Sequence, residues 1–484
     1  MKKILIIGAG TAGLSAGISA RLNGMDAVVC ESHNIAGGCL SYWSRRGFHI
    51  DNCIHWLTGT NPNTPEYKMW RELGVLGKDG EGLLRRDSLF TFYDGKGSLS
   101  LSRDLGELQR RMEEISPADR PEIRSYIRLI ETISELFGTG GESHDKGFGA
   151  HTAAGIPLLI KYNRLSSTEL ARRFKSPLIR GFLTSLLPES FGALALAYVI
   201  ASFTSGNGDL PYGGSEQMAR RMTDRFLSLG GELLLNKRAV KVLMSDDPAR
   251  ARSVLFADGA TLSADCFILT PDPAVIFGKI LDAPMPDQLK KLYKTVRQPR
   301  FSAYQCAFAV DGESPFGGDL TLPIPGEYSR KLGSGYILVR SDTHEKGYAP
   351  EGKAMIQAMI YCGEDQAWEW IEMRHTDKKG YTRKKLRFAE LVGEILARYM
   401  PDLDGRLSVL DAWTPATYKR YTGSEIGSFM SFAYTERRVP LRISGEIPGI
   451  ENVLLAGQWL QMPGGLPIAA MTGKLAAEKA IKLK

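Results

Sequence analysis

Residues 4–13, which read ILIIGAGTAG, decide the fold of this chain. The apolar residues before the first glycine predict a buried parallel strand, and residues 14–22 carry Ala and Leu at helical spacing. Gly8, Gly10 and Gly13 stand between that strand and that helix as G-x-G-x-x-G. In this pattern the first glycine permits a tight turn, the second admits a diphosphate close to backbone, and the third lets helix and strand approach. The stretch therefore predicts a dinucleotide site.

A second strand and an acid complete the unit. Residues 27–30 are apolar and are followed by Glu31, which lies 31 − 13 = 18 residues after Gly13. A carboxylate at this point accepts hydrogen bonds from ribose hydroxyls and disfavours a 2′-phosphate. No second strand–glycine–helix unit of this kind occurs, so a separate domain for a nicotinamide cofactor is not predicted.

Composition narrows the class of protein. The chain has 484 residues, 43% of them hydrophobic and 24% charged, as in soluble globular proteins. Its net charge of +7 is spread over short basic clusters, so nucleic acid is not a predicted partner. The six cysteines form no C-x-x-C pair, which predicts a reduced, cytoplasmic protein without a metal site. No apolar stretch reaches the roughly 20 residues that a bilayer-spanning helix needs.

The next segment carries a family resemblance. Gly37-Gly38 is followed by Arg45, by Gly47-Phe48 and by Asp51. With these residues the sequence resembles the flavoprotein family of amine oxidases and phytoene desaturases, whose first segment reads G-G-x(n)-R-x-G-[FY]-x-[FI]-D. The likeness is closer to the branch of phytoene desaturases, carotenoid isomerases and retinol saturases.

Two residues depart from the family pattern. Amine oxidases usually have Arg directly after the glycine pair, where this chain has Cys39. The glycine expected two residues after the acid is Cys53, which we interpret as a small apolar residue and not as a covalent flavin attachment point.

The tail and the middle of the chain carry the resemblance further. Residues 452–458 and 463–473 resemble the closing flavin motif of this branch, and residues 211–214 with the helix and strand that follow resemble its second FAD segment. The resemblance implies non-covalent FAD. The predicted cofactor contacts are Gly8, Gly10, Thr11, Ala12, Gly13, Glu31, Ser32, Gly37, Gly38, Arg45, Val240 (through its backbone), Gly457, Gln458, Leu466, Pro467 and Ile468.

These segments predict an α/β fold with two domains. A discontinuous Rossmann-like FAD-binding domain is predicted from residues 1–103, 204–275 and 440–484. A mixed α+β substrate domain is predicted from a helical part, 104–203, and a sheet-rich part, 276–439.

Catalytic residues are less clearly marked. The segment after Asp51 is expected to pass the isoalloxazine ring, so His55 is the predicted catalytic residue, with an unperturbed pKa of about 6.5 that allows proton exchange near neutral pH. A structural histidine is the alternative. Trp56, Tyr421 and Trp459 are predicted substrate residues, and the last two are also a candidate facing aromatic pair of the kind that amine oxidases use. Each of these aromatic residues would otherwise belong to the core.

The predicted function is FAD-dependent oxidation, reduction or isomerisation at C–C or C=C bonds of a small lipophilic substrate, such as a carotenoid, a retinoid or another polyene. Two alternatives remain open: a flavin amine oxidase, and a binding or scaffold protein with structural FAD. Apolar runs at 156–160 and 191–203 near basic residues predict peripheral membrane contact. Substrate identity, reaction direction and the electron acceptor stay open.

Overall fold

The structure is a computed structural model that describes residues 2–136, 150–246, 249–295, 298–341, 345, 347–437 and 442–483. Its strands are β1 (Lys3–Ile7), β2 (Asp26–Cys30), β3 (Tyr42–Arg45), β4 (Phe48–Asp51), β5 (Leu83–Leu84), β6 (Ser88–Tyr93), β7 (Ser98–Ser102), β8 (Leu210–Pro211), β9 (Glu232–Leu234), β10 (Ala239–Met244), β11 (Ala251–Phe256), β12 (Thr261–Ser263), β13 (Cys266–Leu269), β14 (Phe301–Asp311), β15 (Gly318–Pro323), β16 (Tyr336–Ser341), β17 (Lys353–Gly363), β18 (Leu407–Trp413), β19 (Glu446–Ile447) and β20 (Ile450–Leu455).

Its α-helices are α1 (Thr11–Leu22), α2 (Pro65–Glu72), α3 (Leu105–Ile115), α4 (Arg120–Leu136), α5 (Ala150–Tyr162), α6 (Ser167–Ala171), α7 (Pro177–Ser185), α8 (Ala193–Thr204), α9 (Gly214–Ser228), α10 (Pro273–Val275), α11 (Asp287–Lys294), α12 (Gly326–Leu332), α13 (Glu364–Thr376), α14 (Lys378–Tyr399), α15 (Pro415–Thr422) and α16 (Leu466–Lys482).

The first sheet brings distant parts of the chain together. Its strand order is β19-β20-β13-β1-β2-β9, and every neighbouring pair from β20 to β9 is parallel. β1 and β2 are each buried after their first residue, as near-continuous apolar strands in a covered parallel sheet should be. The α/β prediction is confirmed. Because parallel strands end at one common edge, the turns after β1, β2, β13 and β20 meet there.

One helix from each end of the chain covers this sheet. The first ten residues of α1 are buried. A Cβ atom at Gly473 of α16 would overlap the carbonyl oxygen of Ala12, and the Ser15 hydroxyl donates to the carbonyl of Ala470 at 2.6 Å. The close approach that glycine permits therefore sets α1 against α16 with their first turns at the same edge of the sheet.

A second sheet lies beyond the first. Its order is β18-β14-β17-β16-β15-β6-β7, and all neighbouring pairs are antiparallel except β15 with β6. Its strands β14 to β18 lie within 276–439, the predicted sheet-rich part. β6 and β7 belong to this sheet although they lie within 1–103, the range assigned from sequence to the FAD-binding domain. The domain division stays a prediction, and its boundary at residue 440 and residues 137–149 lie outside the described residues.

Helices α3 to α8 share one core with β6 and β7. Residues 191–203, one of the two predicted membrane-facing runs, contribute to it: Leu196, Ile200 and Phe203 are all at most 2% exposed. α5 differs, because Ile156 and Ile160 on it are 38% and 53% exposed. Among the described residues, no helix is both long enough and apolar enough to cross a membrane.

Candidate functional site

The turn after β1 is shaped by its glycines. Gly8 has a φ of +102°, which side-chain-bearing residues rarely adopt. A Cβ at Gly13 would overlap the carbonyl oxygen of Gly8. Gly13 therefore has to be glycine for α1 to begin directly at the end of β1, and the backbone N–H groups of the first turn of α1 point out of the sheet edge. Gly10 caps this helix, and no side chain occupies its N–H groups.

The loop that follows β2 folds back over this turn. The N–H of Gly37 donates to the carbonyl of Ala9 at 2.8 Å, and Gly10 and Gly37 form a parallel bridge. Gly38 has a φ of +62°, and a Cβ there would lie 3.0 Å from the Cα of Gly10. Gly37 and Gly38, both predicted cofactor contacts, thus form with Gly10 a cradle of bare backbone.

Glu31 lies at the end of β2 and is 7% exposed. One carboxylate oxygen accepts the N–H of Ala9 at 2.8 Å, and the other accepts the hydroxyl of Ser32 and the N–H of His33, both at 3.0 Å. Each carboxylate oxygen can accept more than one hydrogen bond. Glu31 therefore fixes the turn and keeps acceptor capacity for a ribose.

The tail completes this edge. Gly457, just after β20, has a φ of +128°, and its N–H donates to the Thr472 hydroxyl of α16 at 2.9 Å. The amide oxygen of Gln458 accepts the N–H of Gly465 at 3.2 Å. Gly465 caps α16, so Leu466, Pro467 and Ile468 form a partly exposed first turn at the site.

The residues present fit a dinucleotide. The features that fit are the backbone cradle, where a Cβ on Gly38 would lie 3.0 Å from the Cα of Gly10, a buried acid, and two helix N-termini at one edge. Helix N-termini favour negative groups such as phosphates. Within the described ranges, no group of three or more His, Cys, Asp or Glu side chains is arranged to hold a metal ion.

Two other predicted cofactor contacts lie elsewhere along the site. The register of β10 against β11 shifts between Ala239 and Lys241, so Val240 has no opposite residue in the ladder and is 37% exposed. Arg45 is on the exposed side of β3, and its guanidinium bonds the carboxylate of Asp411 on β18 at 2.9 Å. Val240 lies beside β2, because the residues just before β10 are bonded to the end of β2. Arg45, in contrast, is paired with the second sheet. Both remain predictions as FAD contacts.

Asp51 has a structural task that sequence reasoning did not assign. Its carboxylate accepts the N–H of Ser215 at 2.6 Å and the Ser215 hydroxyl at 2.5 Å, so it caps α9. A Cβ at Gly214 would overlap this carboxylate. The two glycines at 213–214 therefore let α9 begin directly on Asp51, which is the physical reason for that motif. Only Asp51 and the two glycines considered together could have indicated this contact from the sequence.

The second sheet holds the segment that leaves Asp51. The Arg340 guanidinium donates to the carbonyls of Ile54 at 2.5 Å and Asp51 at 3.1 Å, and the Gln357 amide donates to the carbonyl of Asp51 at 2.8 Å. Arg340 and Gln357 are each 5% exposed. Buried hydrogen bonds of this kind fix a backbone path, so residues 51–55 are held between the two sheets.

His55 lies at the end of this segment. Arg86 donates to its carbonyl at 2.9 Å and pairs with Asp319, whose carboxylate lies 4.0 Å from the His55 Nδ1. Burial, followed by the positive charge of Arg340, lowers the pKa of His55 to about 4. This contradicts the expected proton exchange near neutral pH: the imidazole is neutral at pH 7.

The predicted aromatic residues separate into two places. Trp56 is partly buried against the core of the helical region, as is Phe429, whose ring lies 5.5 Å from that of Phe301. Trp459 is 5% exposed and stacks on Tyr293 at 5.9 Å.

Tyr421, by contrast, is 51% exposed. Its ring lies 5.7 Å from the ring of His33. The proposed facing pair of Tyr421 and Trp459 is therefore not formed, because each ring has its own neighbours in the described structure.

Comparison with known proteins agrees with this geometry. The chain matches the family described as flavin containing amine oxidoreductase over residues 11–481. It is 20% identical to a chloroplastic prolycopene isomerase of Daucus carota, over 88% of this chain and 71% of that one, and 24% identical to a phytoene dehydrogenase of Streptomyces griseus, over 98% and 94%. These relatives confirm the resemblance to the phytoene desaturase and carotenoid isomerase branch.

A solved structure gives the same fold. An oxidoreductase from Methanosarcina mazei, 17% identical, superposes with a TM-score of 0.61 over 99% of this chain and 100% of that one. The family match supports the predicted oxidoreductase class and the flavin cofactor, and the solved structure supports the fold. The chain belongs to the flavin containing amine oxidoreductase family.

Proposed function

We propose that the protein binds FAD without a covalent bond and catalyses desaturation, saturation or isomerisation at C–C or C=C bonds of a small lipophilic polyene. The observation that carries this proposal is a partly exposed aromatic surface at the end of residues 51–56, beside the helical region. Trp56 and Phe429 are partly exposed there, on the core shared by α3 to α8. Such a surface suits a substrate without charge, because burying an unpaired charge against it is costly.

The alternative of amine oxidation loses its specific support. It depended on Tyr421 and Trp459 facing each other, and Trp459 is instead stacked with Tyr293 in a core. The relatives named for prolycopene and phytoene favour a polyene substrate over an amine.

The cofactor contacts would be divided by chemistry. Glu31 would hold the ribose, the first turn of α1 and the Gly37-Gly38 loop the diphosphate, and the first turn of α16 the polar edge of the flavin ring. When bound, FAD supplies the acceptor or donor of the hydride or electrons. The two helix N-termini stabilise negative charge at the sites they face.

His55 would be the residue that handles a proton. As a neutral imidazole it has one donor and one acceptor nitrogen at pH 7. Because its pKa is about 4, the imidazole would be a weak base and, once protonated, a strong proton donor. Arg340 and Gln357 would fix its place by holding the backbone of residues 51–54.

Anaerobic mixing of the holoprotein with candidate substrates tests the proposal. Oxidised and dithionite-reduced protein would each be mixed with polyenes (carotenes and retinoids) and with mono- and diamines, while flavin absorbance near 450 nm is followed and products are identified by mass spectrometry. We expect absorbance changes and altered polyenes with the first group only. Flavin reduction by amines and none with any polyene would refute the substrate class.

A second measurement uses no guessed substrate. Organic extraction of freshly purified protein, followed by mass spectrometry, should recover a co-purifying apolar molecule. The same extraction is made from the Trp56→Asp variant. This change should reduce the amount of the apolar molecule that is recovered while the flavin content is retained. Equal recovery from both proteins would show that the molecule is carried elsewhere.

We also propose peripheral membrane contact through α5, whose exposed Ile156 and Ile160 lie beside Lys161. A substrate taken from a bilayer would enter from that side. Residues 191–203 are a weaker candidate for this surface, because most of them are buried and Tyr198 is their exposed large apolar residue.

A further inference from the structure

The last turn of α15 lies at the nucleotide end of the site. The ring of Tyr421 lies 5.7 Å from that of His33 at an angle of 37°, and the N–H of His33 is bonded to the carboxylate of Glu31. His33 is therefore tied to the acid predicted to bind the ribose. Tyr421 reaches the same place from the other side of the molecule, through α15, which follows the edge strand β18 of the second sheet.

Tyr421 carries a cation on its ring. The guanidinium carbon of Arg420 lies 4.6 Å from the ring centroid, a cation–π arrangement. Arg420 itself is exposed, while half of the Tyr421 side chain is covered. The arrangement holds a planar positive group on the ring that packs against His33, whose N–H is bonded to Glu31.

A positive side chain such as this guanidinium would balance the negative charge of the dinucleotide diphosphate. Each phosphate is negative, and the first turn of α1 contributes only about half a positive charge. Cys39, next to the glycine cradle, is no help, because burial raises the pKa of its thiol to about 11 and keeps it neutral. Other basic side chains nearby are engaged: Arg45 pairs with Asp411, and Lys237 pairs with Asp258.

We propose that Arg420, supported on Tyr421 and His33, binds the diphosphate of the dinucleotide. A guanidinium presents two parallel N–H groups to phosphate oxygens, which gives strong and oriented hydrogen bonds. This inference rests on the proposed FAD site. It also assigns Tyr421, predicted from sequence as a substrate residue, to the cofactor.

Binding to the apoprotein of the full chain tests the proposal. The dissociation constant of FAD would be measured by flavin fluorescence for wild type and for Arg420→Gln, and ADP and adenosine would be used as competitors. We expect Arg420→Gln to weaken FAD and ADP by about 10- to 100-fold, with adenosine unchanged because it has no phosphate. The weakening should be smaller for Arg420→Lys, and wild-type affinity should fall more steeply with salt than that of Arg420→Gln.

Arg374→Gln is the matched control, because Arg374 lies over the ring of Tyr381 at 5.7 Å in a similar pair remote from the glycine turns. It should bind all three ligands as wild type does. FAD binding by Arg420→Gln within twofold of wild type would overturn this proposal alone. Equal weakening of ADP and adenosine would overturn it too, as a general disturbance of the site. Failure of the wild-type apoprotein to bind FAD would overturn the proposed function as well.

Discussion

The partly buried, neutral His55 makes stability depend on pH in a way that can be measured. Its pKa is about 4 in the folded chain, against about 6.5 when unfolded, so the unfolded chain binds the extra proton first as pH falls. Between those values the free energy of unfolding therefore decreases with decreasing pH. The contribution of this one group is about 2 kcal/mol at pH 5 and approaches zero above about pH 8.

His55→Gln removes this dependence without removing a large side chain. Urea denaturation of the apoprotein would be followed by tryptophan fluorescence at pH 5 and pH 8 for both proteins. We expect the difference in unfolding free energy, wild type minus variant, to fall by about 2 kcal/mol from pH 8 to pH 5. His375→Gln serves as the control, because His375 is exposed on α13 and its replacement should give no such change.

A pH-independent difference would refute the reasoning, since it would mean that His55 takes up its proton as readily in the folded as in the unfolded chain. Carbon-13 NMR of histidine-labelled protein gives a direct check. One histidine signal should titrate near pH 4 and should be missing from His55→Gln. If instead the missing signal titrates near pH 6.5, the neutral imidazole assigned to the proposed site is wrong.

Four further outcomes are expected. Glu31→Gln should weaken FAD binding by about 1–3 kcal/mol, because charged hydrogen bonds become neutral. Glu232→Gln, on the neighbouring strand, should bind FAD normally in the same titration, and equal affinities of the two variants would contradict the ribose role of Glu31. Acid precipitation should leave FAD in the supernatant, and flavin retained in the pellet would indicate a covalent bond. Gly473→Val should lower the free energy of unfolding by about 1–3 kcal/mol and reduce flavin content, because its side chain would collide with α1. Gly278→Val is the control, because Gly278 faces open space, and similar melting of both variants would argue against the contact of α16 with α1. Anionic liposomes should float the protein at low salt and less of it after Ile160→Asp, and absence of any floated protein would remove the membrane contact.

The local parts of the fold were predictable from sequence because local rules govern them. The strand at residues 4–7, the three glycines and Glu31 follow one another within a single unit, and each has a steric or hydrogen-bonding reason that short-range pattern reveals. The same holds for the tail, where Gly457 and the α16 N-terminus are close in sequence.

Contacts between distant residues were not predictable in this way. Asp51 caps a helix through Ser215, which lies 164 residues later, so neither the acid nor the glycines at 213–214 indicate their partner alone. The same limit applies to β6 and β7, whose alternation predicts strands but not the sheet that they join.

The surroundings of individual side chains were also not predictable from the sequence. No residue near His55 in sequence indicates that its imidazole is covered or that Arg340 lies close to it. This burial and the charge of Arg340 lower the imidazole pKa. The place of Tyr421 depends on where β18 puts α15, which a single sequence does not specify.

The contact of α1 with α16 has a consequence for biosynthesis. The Ser15 hydroxyl and its acceptor at Ala470 are 455 residues apart, so a ribosome that adds about 5–20 residues per second makes the partner of α1 about 20–90 s after α1 itself. Throughout that interval the face of α1 that packs on α16 in the folded protein lacks its partner. The nascent chain must be kept from aggregating while it waits, and flavin can be captured in a finished cradle only after translation has reached the final helix.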